Sequence, residues 1–458
     1  MATATHNKKK NLSTDPFKLS RPMGAALAMM GIEGAMPLLH GAQGCASFAK
    51  VLLTRHFREP IPMGTSALSE MPVILGGEEN LKRALLKLSQ KLRPSLIGVI
   101  TTALSETRGE DLKLMLKSFK AEQPEFTIPL VVANVPDFQG SLEDGFAMMQ
   151  EALVLELLPK DPPPKPLIKD RLVNILPGAG FGPGDVDEIK GLVEAFGLHP
   201  IVLPDISLGL DGRLSGGFSP IVKGGTRLDQ IKNMPHAKMS FALGPSAERA
   251  ARAVNERFLV PYVTLDSVTG LMDSDLFVRH LMEVSDSNKA PKTVQRDRER
   301  LLDVMLDAHF FTGGKRLSAA LEPDELLAVT KIAKEVGMGF KALIAPADGP
   351  AIPRIDANEV AIGDLGDLEN LAGGSDLIAA CYRAQHIAKH LGVPFLRMGI
   401  PIFDHIHEPM RSKVGYNGSA RLLADIANLL LEQEEHEIES RHLEDVNLRE
   451  GQDEGCVC

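Results

Sequence analysis

At 458 residues, 44% hydrophobic and 24% charged, the chain is too long for one core and suits two to four domains, with three as the working number. The net charge of -10 is unevenly placed, since between Glu432 and Glu454 ten acidic residues face two arginines, and the remaining body is nearly neutral. A nucleic-acid-binding face would need clustered lysine and arginine, and four cysteines in this length do not make a disulfide framework.

In chain order, residues 1–20 read as a flexible head. Lys8, Lys9 and Lys10 are followed by Asn11, Ser13, Thr14 and Asp15, so the apolar stretch of a secretory signal is missing. The apolar run Gly24 to Leu39 is broken by Glu33 and by glycines and falls short of the ~20 residues of a membrane span. A cytoplasmic location is therefore expected. Next comes HGAQGCASF, His40 to Phe48, in which Gly41 and Gly44 flank a turn carrying Cys45 and would let backbone approach a bulky ligand.

The runs Ser95–Thr101 and Pro129–Val135 are short, apolar and β-branched, as strands are, while Glu78–Leu92 and Leu112–Lys120 space their apolar residues as helices do. The Pro-rich Asp161–Pro166 reads as a stiff connector. Beyond it the alternation resumes: RLVNILPG, a helix over Asp185–Phe196, PIVLPD, a helix near Leu228–Met234, MSFALG and a helix from Ala247. A third round follows with LSAALEP, a helix over Asp324–Val336, FKALIAP, a helix over Leu365–Leu371, DLIAAC, a helix over Arg383–His390 and VPFLRMG. Parallel strands need crossovers and helices supply them, so the pattern predicts an α/β protein with parallel sheets covered on both faces. The expected division is 1–20 head, 21–165, 166–300 and 301–431 as three α/β domains, and 432–458 as an acidic tail that is a solvated helix or a frayed end. In such folds ligands gather at the carboxyl ends of strands.

Candidate chemistry is sparse. On spacing alone Cys45 is a small apolar residue packed in a core. The alternative is one thiolate corner of an iron-sulfur cluster, which normally takes four, so that a partner chain must supply the rest. Cys381 ends an apolar strand and reads as core; Cys456 and Cys458 sit at a terminus without fixed geometry. His405 and His407 alternate as on an extended segment, which would put both on one side, and read as surface histidines or a metal pair. The glycines Gly178, Gly180 and Gly182 miss the spacing of a phosphate loop, and Pro183 suits a plain helix start. GGKR at Gly313–Arg316 leads into a strand, so no nucleotide site is expected.

Three blocks carry a family resemblance: Arg21 to Glu70 around Cys45, Pro183 to Thr226, and the looser Val393 to Glu432, with His405 where arginine is expected. They resemble the nitrogenase component 1 type oxidoreductases, and within that family the subunits that mature the iron-molybdenum cofactor. The resemblance implies three Rossmann-like, doubly wound domains and a heterotetramer with a homologous NifE-type subunit. It implies that Cys45 donates one ligand to a 4Fe-4S cluster shared with three cysteines of that partner. It further implies an iron-molybdenum cofactor precursor held mainly by the partner, a cluster donor of the NifB type, and electrons from the nitrogenase iron protein. Catalytic relatives place a further cluster cysteine where this sequence has Ala103, which weighs against a nitrogenase β chain. A subunit of the dark-operative protochlorophyllide reductase, and a metal-free small-molecule-binding α/β protein, are the remaining alternatives.

Overall fold

The structure is a computed structural model that describes residues 3–6, 13–160, 168–213, 217 and 219–453; the expected connector Asp161–Pro166 and the tail cysteines Cys456 and Cys458 lie outside these. Within the stretch read as a flexible head, β1 (Thr3–His6) is a strand of the third sheet. The first sheet holds β2 (Ala35–His40), β3 (Gly64–Thr65), β4 (Leu96–Thr101) and β5 (Leu130–Ala133), in the order β3-β2-β4-β5. The second holds β6 (Lys169–Pro177), β7 (His199–Val202), β8 (Ala237–Leu243) and β9 (Tyr262–Leu265), ordered β7-β6-β8-β9. The third is formed by β10 (Arg316–Ala320), β11 (Gly339–Ala345), β12 (Glu359–Ile362), β13 (Leu377–Ala380) and β14 (Phe395–Arg397), ordered β1-β12-β11-β10-β13-β14. Every pairing among these strands is parallel, as the alternation of strands and helices requires.

The apolar run Gly24–Leu39 is two elements. Its first part lies in the helix Arg21–Met29, started by Pro22, in which all residues from Pro22 to Met29 are buried; its second part is β2, at the middle of the first sheet. That helix lies against the helix Leu142–Leu157 at almost no separation. A Cβ on Gly24 would fall 1.9 Å from the Leu142 carbonyl oxygen, and one on Gly145 would fall 1.9 Å from that of Arg21. Both glycines are there because two backbones touch.

The sheets are joined at a buried junction where two helices meet start to start. Ser141 caps the helix Leu142–Leu157, and Glu322 caps the helix Pro323–Glu335. Each helix supplies the other with an acceptor: Glu143 Oε2 accepts the Asp324 N–H at 2.8 Å, and Glu322 Oε2 accepts from Ser141 Oγ at 2.5 Å. Asp324 in turn accepts from Ser246 Oγ of the second layer at 2.6 Å. Helix starts favour anions, but burial dominates here. It pushes Glu322 up to about 8 and Asp324 up to about 7, and holds Glu143 well above the carboxylate range with Asp324 and Glu322 adding to the effect.

Candidate functional site

Parallel pairing of β2, β4 and β5 brings their carboxyl ends to one edge, and the residue types that follow them differ. After β2 comes the turn to Cys45, after β4 Thr102, and after β5 Asp137. Cys45 sits in the first turn of the helix Gln43–Phe57, whose cap residue Ala42 is extended and gives no side-chain hydrogen bond. The cysteine is free and exposed, and it lines a cavity of about 490 Å³ with Phe48, Thr102, Asp137 and Arg383.

The two glycines of the turn do different work. A Cβ on Gly44 would meet nothing within 4 Å, so there is open room beside the cysteine, whereas one on Gly41 would fall 2.4 Å from Thr102 Oγ1. Space for a ligand is thus a property of Gly44, and Gly41 is small because Thr102 packs against it.

Ala103 opens the helix Ala103–Thr107 after its cap Thr102, and its backbone N–H favours the charged form of Asp137, against burial. Burial holds Asp137 above the usual carboxylate range, and its Oδ1 is buried without a hydrogen-bond partner. Burial and then the Asp137 charge push the Cys45 thiol up, against the opposing backbone hydrogen bonds at Cys45 and Ala42. Metal ligation here must displace a proton, and is favoured as pH rises. Sequence reading missed Asp137. It was findable, because Asp137 closes the loop after the strand read in Pro129–Val135, at the end where parallel strands place their ligands.

A thiol at a helix start, facing a cavity with room at Gly44, fits one corner of a 4Fe-4S cluster. Among the described residues no three His, Cys, Asp or Glu side chains are grouped so as to hold a metal ion.

The other candidates lie elsewhere. Cys381 follows β13, is buried, and burial pushes it up to about 11, in keeping with a core role. His405 and His407 are not on an extended segment: the chain turns there, His407 has a φ of +65°, and a short helical turn starts at Glu408. His405 Nδ1 instead pairs with Glu408 at 2.5 Å. Pro183 is the first residue of its helix. The glycine turn ahead of it is packed by acidic side chains, with Glu325 Cγ 2.4 Å from a Cβ on Gly180 and Asp324 Oδ2 3.0 Å from one on Gly178, which is a poor setting for phosphate. Gly313 caps a helix and Arg316 begins β10.

Fold and site together define an α/β protein of three parallel sheets that offers a single thiol at the strand ends of the first. Residues 20–431 match the family described as nitrogenase component 1 type oxidoreductase, and the chain belongs to that family. It is 42% identical over 433 residues, 94% of this chain and 96% of the relative, to the nitrogenase iron-molybdenum cofactor biosynthesis protein NifN of Nostoc sp. (strain PCC 7120). It is 39% identical over 446 residues, 94% of this chain and 97% of the relative, to the protein of the same name from Rippkaea orientalis. Among solved structures, "Nitrogenase Cp1 at pH 6.5" aligns with a TM-score of 0.88 and 31% identity over 94% of this chain and 95% of that one. The resemblance and fold class read from the sequence are borne out. No helix among the described residues is long and apolar enough to cross a membrane.

Proposed function

We propose that the chain is a scaffold subunit for maturation of the nitrogenase iron-molybdenum cofactor, working in a complex with a NifE-type subunit. The observation that carries this reading is the likeness, over more than nine-tenths of the chain, to relatives named for cofactor biosynthesis. In this reading Cys45 contributes one thiolate to a 4Fe-4S cluster at the subunit contact, and the partner contributes the other three. When bound, such a cluster supplies one-electron transfer. The rest is this chain's own work. Gly44 leaves room beside the thiol, Thr102 and the sheet hold the turn, and the exposed Phe48 and Val51, three and six residues along the same helix, offer apolar surface to the partner. The cofactor precursor rests mainly in the partner, supplied by a NifB-type donor, and the nitrogenase iron protein delivers electrons.

The test is to purify the chain with its NifE-type partner without oxygen, count iron and record the paramagnetic spectrum, for the native pair and for Cys45→Ala. The native pair should hold a 4Fe-4S cluster absent from the isolated chain. The variant pair should still assemble, because an obligate interface of about 2,000 to 5,000 Å² does not hang on one ligand, but with that cluster lost or its spectrum altered. A variant pair with full iron and an unaltered spectrum removes Cys45 from the ligand set.

A further inference from the structure

The turn that presents Cys45 is held from behind by a chain of polar side chains, nearly all buried, that the ligand role does not use. His40, the last residue of β2, is fully buried, and so is nearly all of the Glu110 side chain, its hydrogen-bond partner. His40 Nε2 lies 2.7 Å from Glu110 Oε2, and His40 Nδ1 lies 3.0 Å from Ser66 Oγ. Ser66 Oγ also accepts the Gly41 N–H at 3.1 Å, four residues before the cysteine. Burial lowers His40, against the raising effect of Glu110, so the ring is neutral at pH 7.

A neutral ring fixes the direction of every bond. His40 Nε2–H donates to Glu110, the Ser66 hydroxyl donates to His40 Nδ1, and the Gly41 N–H donates to Ser66. All donors point toward the Glu110 carboxylate. The other oxygen of Glu110 accepts from Gly77 N–H at 2.7 Å and from Arg108 Nε at 3.0 Å. Arg108 carries the chain to the surface, where its guanidinium donates to the carbonyls of Val73 and, at 2.7 Å, Ile74. These two residues belong to the short helix Glu70–Leu75, which exposes Met71 and Ile74.

A buried carboxylate and a buried imidazole are costly to desolvate, and a sheet edge needs neither for its packing. What the pair provides is a single hydrogen-bond polarity ending on the peptide that opens the cysteine turn. We propose that Glu110 is a positioning residue for Cys45, acting through His40 and Ser66, and that Arg108 ties this arrangement to the surface segment Val73–Ile74. Whatever shifts that segment then shifts the thiol. The inference rests on the reading of Cys45 as the functional thiol, but its first test does not require a cluster.

In Glu110→Gln the amide keeps the shape of the side chain while its NH₂ can face His40 Nε2. The ring must then accept there and donate from Nδ1, which reverses the Ser66 bond: Ser66 Oγ accepts from both His40 and Gly41, and its own proton loses the acceptor it had on His40. The experiment follows the anaerobic alkylation rate of Cys45 by iodoacetamide in the full-length chain, resolved by site with mass spectrometry. Cys381, buried against the third sheet, is the internal control: it reacts only if the fold opens.

The expected result is a change in Cys45 rate of about fivefold or more in Glu110→Gln, a smaller change in the same direction in Arg108→Gln, and an unreactive Cys381 in both. If Glu110→Gln exposes Cys381, Ser66→Ala takes its place, since it cuts the same chain without altering a charge. Unchanged Cys45 rates in a folded Ser66→Ala or Glu110→Gln overturn the positioning role, and an unchanged rate in Arg108→Gln alone overturns the link to Val73–Ile74. In the iron-bearing complex the same variants should shift the paramagnetic spectrum at unchanged iron content. Should Cys45→Ala leave that spectrum untouched, the ligand reading fails while the alkylation result still decides the positioning role.

Discussion

Two clusters of polar side chains lie at element ends in this molecule and are finished in opposite ways. At the junction of the three layers, the buried Ser141, Glu143, Ser246 and Asp324 and the half-buried Glu322 supply one another's donors and acceptors. At the edge of the first sheet Cys45 is exposed, the helix start before it has no side-chain cap, Asp137 keeps a buried oxygen without a partner, and Gly44 leaves space. The first cluster turns its acceptors on its own donors, and its carboxylates are costly enough that burial drives them toward the protonated form. The second has its capacity unspent. Perturbed titration marks the junction more strongly than the cysteine edge, so a search by shifted acids alone would choose the closed cluster over the open one.

Substitutions should separate the two regions by size of effect. Glu322→Ala strips the acceptor from the hydroxyl of buried Ser141 and the N–H of buried Glu143, and should cost about 2 to 3 kcal/mol, read as a lower urea midpoint. A midpoint shift near zero would show that the junction is not the closed cluster described. Gly41→Ala comes next, at about 1 to 3 kcal/mol, because the new methyl meets Thr102; Gly44→Ala, three residues along and in the first turn of a helix, should be neutral or gain up to about 1 kcal/mol. Equal losses at both glycines would erase the distinction between packing and ligand room.

The pH dependence of stability carries its own sign. Glu322 and Asp324 titrate in the folded chain near 8 and 7, above their unfolded values, so folding takes up protons. Their contribution is fully present below about pH 4 and is lost as pH rises through 7 to 8. Thermal midpoints should therefore fall from pH 6 to pH 8.5, and Glu322→Gln, which cannot ionise, should flatten the fall; an identical slope in that variant would assign the dependence to other groups. The smallest effect is expected from deletion of residues after Leu431. That deletion removes the partly exposed Lys315–Glu434 pair, worth under about 1 kcal/mol, and should leave assembly with the partner intact when measured by co-purification.

Much of the fold could be read directly. The strands in Ser95–Thr101 and Pro129–Val135 and the helices near Glu78, Leu112 and Asp324 appear within a few residues of their expected limits, because each has polar or turn residues at its ends. β2 was hidden. It follows a buried helix within one apolar run broken only by Glu33 and glycines, and neither period stands out when every side of both elements is covered. Strands of only four residues, such as β9 and β12, left a similarly faint trace.

The sequence by itself determined the layered parallel architecture, the family, and Cys45 as the residue to watch, since these depend on local period and on motifs contiguous in the chain. Only the tertiary structure decided that Asp137 and Thr102 share the cysteine's cavity, that Gly41 and Gly44 serve different ends, and that His405 and His407 lie in a turn. It alone placed Glu143 against Asp324 and His40 against Glu110, pairs 181 and 70 residues apart. The physical reason is that crossover connections bring distant strand and helix ends to a common edge, and no periodicity along the chain records which ends will meet.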